Sequence, residues 1–129
     1  MDTETARDPH LLADLSWCLA QAPAGQAGAL WRLTESPRQL DANLVRLAPL
    51  AQVAQHAEDE LDVLLLVVEG SGALRSDHDV VALAEQSLIW LPRGSRRSLI
   101  AGPNGLAYLT VHQKRPGMGI RSGPPEGGR

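Results

Sequence analysis

The chain contains no phenylalanine, and its aromatic residues are limited to three Trp and one Tyr among 129 residues. Any core must therefore be packed by Ala, Leu and Val rather than by stacked rings. Cysteine is nearly absent as well. Cys18 stands alone, which excludes an internal disulfide and a thiolate metal cluster and fits a reducing compartment, so a cytoplasmic location is expected. Long apolar runs are missing: the longest, Val63 to Val68, is the size of a strand, far short of the roughly 18 residues that span a bilayer. The amino terminus, with Asp2, Glu4, Arg7 and Asp8, lacks the basic start and apolar middle of a secretion signal. Charge of one sign is also lacking. A net charge of −3, mixed along the chain, favours neither a nucleic-acid nor a membrane partner.

What remains is 43% hydrophobic and 21% charged, the range of one soluble globular domain. Asp8-Pro9 is a helix-start signal, and Leu11, Leu12, Leu15, Cys18 and Leu19 recur at three- and four-residue intervals behind it. Pro23, Gly25 and Gly28 end this helix. From about residue 29 the texture becomes short Leu-, Val- and Ile-rich segments separated by turn residues roughly every 8–12 positions, an all-β pattern. The strands expected are Ala29–Thr34, Ala42–Leu47, Gln52–His56, Asp62–Glu69, Ala73–Arg75, Val80–Leu83, Ser87–Leu91, Arg97–Ile100 and Leu106–His112. Gly70-Ser71-Gly72 and Gly102-Pro103-Asn104-Gly105 are among the turns that divide them. The organisation expected is a helical extension over residues 1–28, a β domain over 29–113 and a flexible Gly- and Pro-rich tail over 114–129.

Two stretches carry a family resemblance. Leu50 to Gly70 resembles the first motif of the cupin superfamily: Gly, five residues, His-x-His, three or four residues, Glu, six residues, Gly. His56 and Gly70 match it, whereas Leu50 stands for the opening Gly, Glu58 for the second His and Val63 for the Glu. Gln86 to Ala101 resembles the second motif: Gly, five residues, Pro-x-Gly, two residues, His, three residues, Asn. Pro92 and Gly94 match, whereas Gln86, Arg97 and Ala101 replace the Gly, His and Asn. The resemblance covers about residues 29 to 113. It implies an all-β, cupin-type jelly-roll barrel with an internal pocket, often dimeric.

Members of that superfamily hold a divalent ion with three His and one Glu, and the substitutions here undo that set. Val63 has no donor atom, and Arg97 brings a fixed positive charge to the place of the cation. No metal and no cofactor is therefore expected. Because residues two apart on a strand share a face, His56 and Glu58 are expected to point into the barrel, where Glu58 would meet Arg97 as an ion pair with His56 alongside. Such a pair is either purely structural, the reading put first, or leaves Arg97 partly free for a small anionic ligand with His56 as a second contact. The pocket residues named from sequence are His56, Glu58, Val63, Leu65, Arg97 and His112; for His112 an interface or surface position competes. No nucleophile-and-base arrangement is visible, so no catalytic residue is named. Trp17, Trp31 and Trp90 are taken as core or dimer-contact anchors. The reading taken forward is a metal-free small-ligand-binding or regulatory module that forms a homodimer. A cupin-type isomerase, dioxygenase or lyase with a rearranged site, and a structural dimerisation module, stand as alternatives.

Overall fold

In a strand, successive side chains alternate between two faces, and the run from Val63 uses both. Val63, Leu65 and Val67 are buried on one side, while Leu64, Leu66 and Val68 face the other. The computed structural model describes residues 8–115, the side chain of His56 excepted. Helix α1 spans Leu15–Gln21, and the strands are β1 Gly28–Arg32, β2 Leu40–Leu47, β3 Gln52–Ala57, β4 Val63–Ser76, β5 Val80–Leu83, β6 Leu88–Leu91 and β7 Arg96–Gln113. Every strand pairing is antiparallel.

Strands β4 and β7 form the spine, paired from Val63 with His112 through to Ser76 with Arg97. Both bend at glycines with positive φ, Gly70 at 84° and Gly105 at 88°, and their register shifts beside the bend. A Cβ on Gly70 would run into the carbonyl oxygen of Gly105, so only glycine allows the two backbones to approach there. Each long strand thereby serves two layers. In one, the order is β1, β2, the second half of β7, the first half of β4, then β6; in the other it is β3, the first half of β7, the second half of β4, then β5. The two layers fold over one another as a jelly-roll barrel.

Nine strands were expected and seven are present among the described residues, because two glycine-rich segments read as turns are bends inside continuous strands. Composition shows the bend but not whether pairing survives it. The helix differs too. It starts at Asp14, whose carboxylate accepts a hydrogen bond from the Trp17 amide at 3.1 Å, not at Asp8. Leu11 and Leu12 precede it and are exposed, since a seven-residue helix has room to bury only Leu19 fully. Of the expected tail, residues from 116 onward lie outside the described residues. Its first two are tied down: the Lys114 amide donates to the Gln39 carbonyl at 2.8 Å, and Arg115 pairs with Glu58.

The main core fills the space between the layers with Val63, Leu65, Val67, Leu74, Leu83, Leu91, Leu99, Ala101, Leu106 and Tyr108. A second cluster of Leu19, Leu44 and Ala107 lies on the outer face of the first layer, beneath α1. No helix among the described residues is long and apolar enough to cross a membrane.

Candidate functional site

Strand β7 sets the site by alternation. Tyr108, Thr110 and His112 share its inner face and stand in register with Val67, Leu65 and Val63 of β4. With Val53, Leu74, Leu91 and Leu99 as further apolar wall, they line a cavity of about 200 Å³ that also receives Glu58, Arg97 and Arg115.

Arg97 is the one buried charged side chain among the described residues, at 5% exposure. Its Nη1 donates to the Ser95 carbonyl at 2.9 Å and to Ser95 Oγ at 3.2 Å. Ser95 is itself held: its hydroxyl donates to the Pro92 carbonyl at 2.7 Å, in a turn pinned by Gly94 N to Glu58 O at 2.6 Å and Arg93 N to Asp62 Oδ1 at 2.9 Å. No carboxylate lies within ion-pair distance of Arg97 among the described residues. Burial pushes its guanidinium pKa down and the charge of Glu58 pushes it back up, leaving it a cation with donors to spare.

Glu58 pairs with Arg115 rather than with Arg97. Arg115 Nη2 bonds Oε1, Nη1 reaches Oε2 at 3.4 Å, and the Glu60 amide donates to Oε2 at 3.0 Å. The Arg115 hydrogen bond above all, then the Glu60 amide and the charges of Arg115 and Arg97, hold the Glu58 carboxyl below its ordinary value against the opposing effect of burial. The same contact raises Arg115. The expected pairing fails for a local reason: β3 ends at Ala57, so Glu58 opens a loop where alternation no longer aims its side chain. A half-exposed Arg115 is also a cheaper partner than a second fully buried charge.

Of the six pocket residues named from sequence, Glu58, Val63, Leu65, Arg97 and His112 meet at this cavity. The backbone of His56 lies directly across from Arg97, and its side chain is outside the described residues. Val63 and Leu65 are hydrocarbon wall. His112 Nδ1 lies 2.8 Å from the Gln113 carbonyl. A carbonyl only accepts, so Nδ1 is the donor in this contact. Tyr108, Thr110 and Arg115 were missed. The first two follow from His112 by counting back in twos along the last strand, whereas nothing in sequence brings Arg115 to Glu58. Burial raises the Tyr108 phenol, which keeps it a hydrogen-bond donor.

The residues at the superfamily's ligand positions do not fit a divalent ion: Val63 has no lone pair, Arg97 is a cation, and the Glu58 carboxylate is engaged by Arg115. Among the described residues no group of three or more His, Cys, Asp or Glu is arranged to hold one.

The backbone keeps what the side chains have lost. Leu50 (φ 64°) and Gln86 (φ 73°), which replace the opening glycine of each motif, are the two non-glycine residues with positive φ among those described; Gly70 and Gly94, which match motif glycines, have φ of 84° and 83°. All four glycine positions thus retain the left-handed conformation that favours glycine.

No protein-family model matches the chain. No curated protein matches it either. Solved structures do. The cupin domain of Cnp3 from Schizosaccharomyces pombe superposes with a TM-score of 0.59 at 13% identity over 66% of this chain and 63% of that one. A cupin-2 domain protein from Shewanella frigidimarina gives 0.62 at 10% identity, covering 88% and 100%. A protein described as a sugar phosphate isomerase of the cupin superfamily, from Silicibacter pomeroyi, gives 0.57 at 24% identity, covering 63% and 54%. The match spans less than two thirds of the first and third of these chains. The doubly bent β4–β7 spine, the four left-handed motif positions and these superpositions together show that the chain has the cupin fold.

Proposed function

We propose that the protein is a metal-free binding module for a small organic anion, with a carboxylate held by Arg97. One observation carries this reading: a buried guanidinium at a cavity that donates to neutral oxygens of Ser95 and, among the described residues, has no carboxylate within ion-pair distance. An uncompensated buried charge is costly, and an anionic ligand offsets that cost with charge-assisted, bidentate hydrogen bonds. Arg115 is engaged by Glu58 and Glu60, which leaves the single charge of Arg97 to meet a monoanion. A cavity of about 150 Å³ accepts benzene, so the volume here suits about eight non-hydrogen atoms. The body of the ligand lies against Val63, Leu65, Leu74 and Leu91, and a hydroxyl or carbonyl on it faces Tyr108, Thr110 and His112. The likeness to a sugar phosphate isomerase supports a small-molecule site at the level of fold and no further.

The test pairs each acid with its neutral amide. Benzoate, 4-hydroxybenzoate and lactate are titrated against the protein in thermal-shift and calorimetric measurements beside benzamide, 4-hydroxybenzamide and lactamide. A carboxylate that binds stabilises by about 2.7 kcal/mol at a hundredfold excess over its Kd, and its amide does not. Arg97→Met abolishes the shift while leaving stability unchanged or higher, because the substitution removes a buried charge with no carboxylate in ion-pair distance among the described residues. A loss of about 3–5 kcal/mol in Arg97→Met, with no carboxylate bound by the parent protein, would sink the proposal and return Arg97 to a structural role.

A further inference from the structure

Among the described residues, the cavity is lined by two guanidinium groups, Arg97 and Arg115, and by one carboxylate, Glu58. The carboxylate sits near both cations. Gly94 N, in the turn before β7, donates to the Glu58 carbonyl at 2.6 Å, and the next residue, Ser95, holds the Arg97 guanidinium through its carbonyl and hydroxyl. The Glu58 main chain and the Arg97 side chain are thus anchored to consecutive residues. Each group feels the charge of the other: Arg97 helps to lower the Glu58 carboxyl, and Glu58 raises the Arg97 guanidinium. Yet the hydrogen bonds of the Glu58 carboxylate go elsewhere, to the two terminal nitrogens of Arg115 and to the Glu60 amide. Without Arg115, Arg97 is the cation left in this cavity for Glu58 to turn to.

We infer that Arg115 is a positioning residue for the anion site: by holding the Glu58 carboxylate it keeps the chain's own acid off Arg97 and leaves that guanidinium open to the ligand. The inference rests on the anion-binding reading of Arg97 given above. A carboxylate in the same cavity is a built-in competitor for a carboxylate ligand, because both accept the same Arg97 N–H groups. Its concentration at Arg97 is set by the chain and not by the solution. Where Glu58 occupies Arg97 for about nine tenths of the time, the apparent Kd of the ligand rises about tenfold. Arg115 reaches Glu58 from 57 positions away, so the placement of the segment that follows β7 governs whether the site is open. The coupling is reciprocal, and an anion on Arg97 tightens the hold of Arg115 on Glu58.

Calorimetric titration of benzoate, 4-hydroxybenzoate and lactate into the full 129-residue chain and three variants tests it. Arg115→Gln weakens the acid that the parent chain binds by about tenfold, and Arg115→Lys, which keeps a cation beside Glu58, retains most of the affinity. Arg115→Gln/Glu58→Gln regains the affinity, because the competitor has lost its charge. Arg115→Gln binding as tightly as the parent overturns the inference. So does a double variant as weak as Arg115→Gln, which means that Arg115 touches the ligand itself. A second measurement needs no ligand: the Glu58 carboxyl is titrated by carbon-13 NMR in Arg115→Gln, where it stays below the ordinary 4.5 because Arg97 has taken it up. A return to 4.5 shows that Glu58 does not reach Arg97 and overturns the inference. A parent chain that binds none of the acids sinks the proposed function, and the carboxyl titration then decides by itself whether Arg115 keeps Glu58 off Arg97.

Discussion

Leu50 and Gln86 hold a left-handed backbone that costs an L-residue with a Cβ roughly 1–2 kcal/mol. Replacing either with glycine relieves that strain but adds about 0.4–1 kcal/mol of unfolded-state entropy. The balance predicts that Leu50→Gly and Gln86→Gly each raise stability by about 0.5–1 kcal/mol, read as a higher urea midpoint at constant m-value; a fall in both would show that these turns carry no strain. The same two positions measure what sequence alone could deliver. Spacing placed Leu50 and Gln86 in glycine positions, and the backbone agrees because chain geometry at a turn is set by its flanking strands rather than by the side chain. For Arg97 sequence put the side chain in the pocket but chose its partner wrongly, since the period-two rule holds only as far as the strand does.

At the scale of elements, the C-terminal segment clasps the loop after β3 through Arg115 and Glu58. Glu58 has its carboxyl below the ordinary 4.5 in the folded state. Its contribution to stability is therefore complete above that value and is lost as pH falls through the lower folded value. Urea unfolding of the parent and of Glu58→Gln should differ by a constant amount above pH 4.5 and converge below it. The difference should be at most about 1 kcal/mol and shrink in high salt, because Arg115 is 42% exposed and screened. Curves that stay parallel down to low pH would mean that the clasp contributes nothing. None of this was legible beforehand: residue 115 was assigned to a tail on composition, and composition is blind to a contact made 57 positions away. The helix shows a related limit. The Leu spacing from residue 11 is genuine, but propagation depends on a cap and on a face to bury, and both begin at Asp14.

In the whole molecule, β7 is the last strand among the described residues and pairs with β2, β3 and β4, so neither layer closes until it is in place. Such non-local pairing must meet its loop-closure cost before it is rewarded, and it predicts refolding in milliseconds to seconds rather than microseconds. Stopped-flow dilution from urea checks this, and a dominant sub-millisecond phase would contradict it. By itself the sequence determined that the chain is mostly β, that its core is largely aliphatic and that residues 50 to 101 keep a cupin frame with three of its four metal-ligand positions replaced. Those properties are written locally, in period-two alternation, turn residues and spacing. Only the tertiary structure decided that two apparent turns are bends in continuous strands, that Glu58 closes on Arg115, and that Arg97, beside a cavity, has no carboxylate within ion-pair distance among the described residues. These depend on which distant backbones meet at Gly70 and Gly105 and on where β3 ends. The charge of Arg97 was plain from the start; its separation from Glu58 follows from the packing around it.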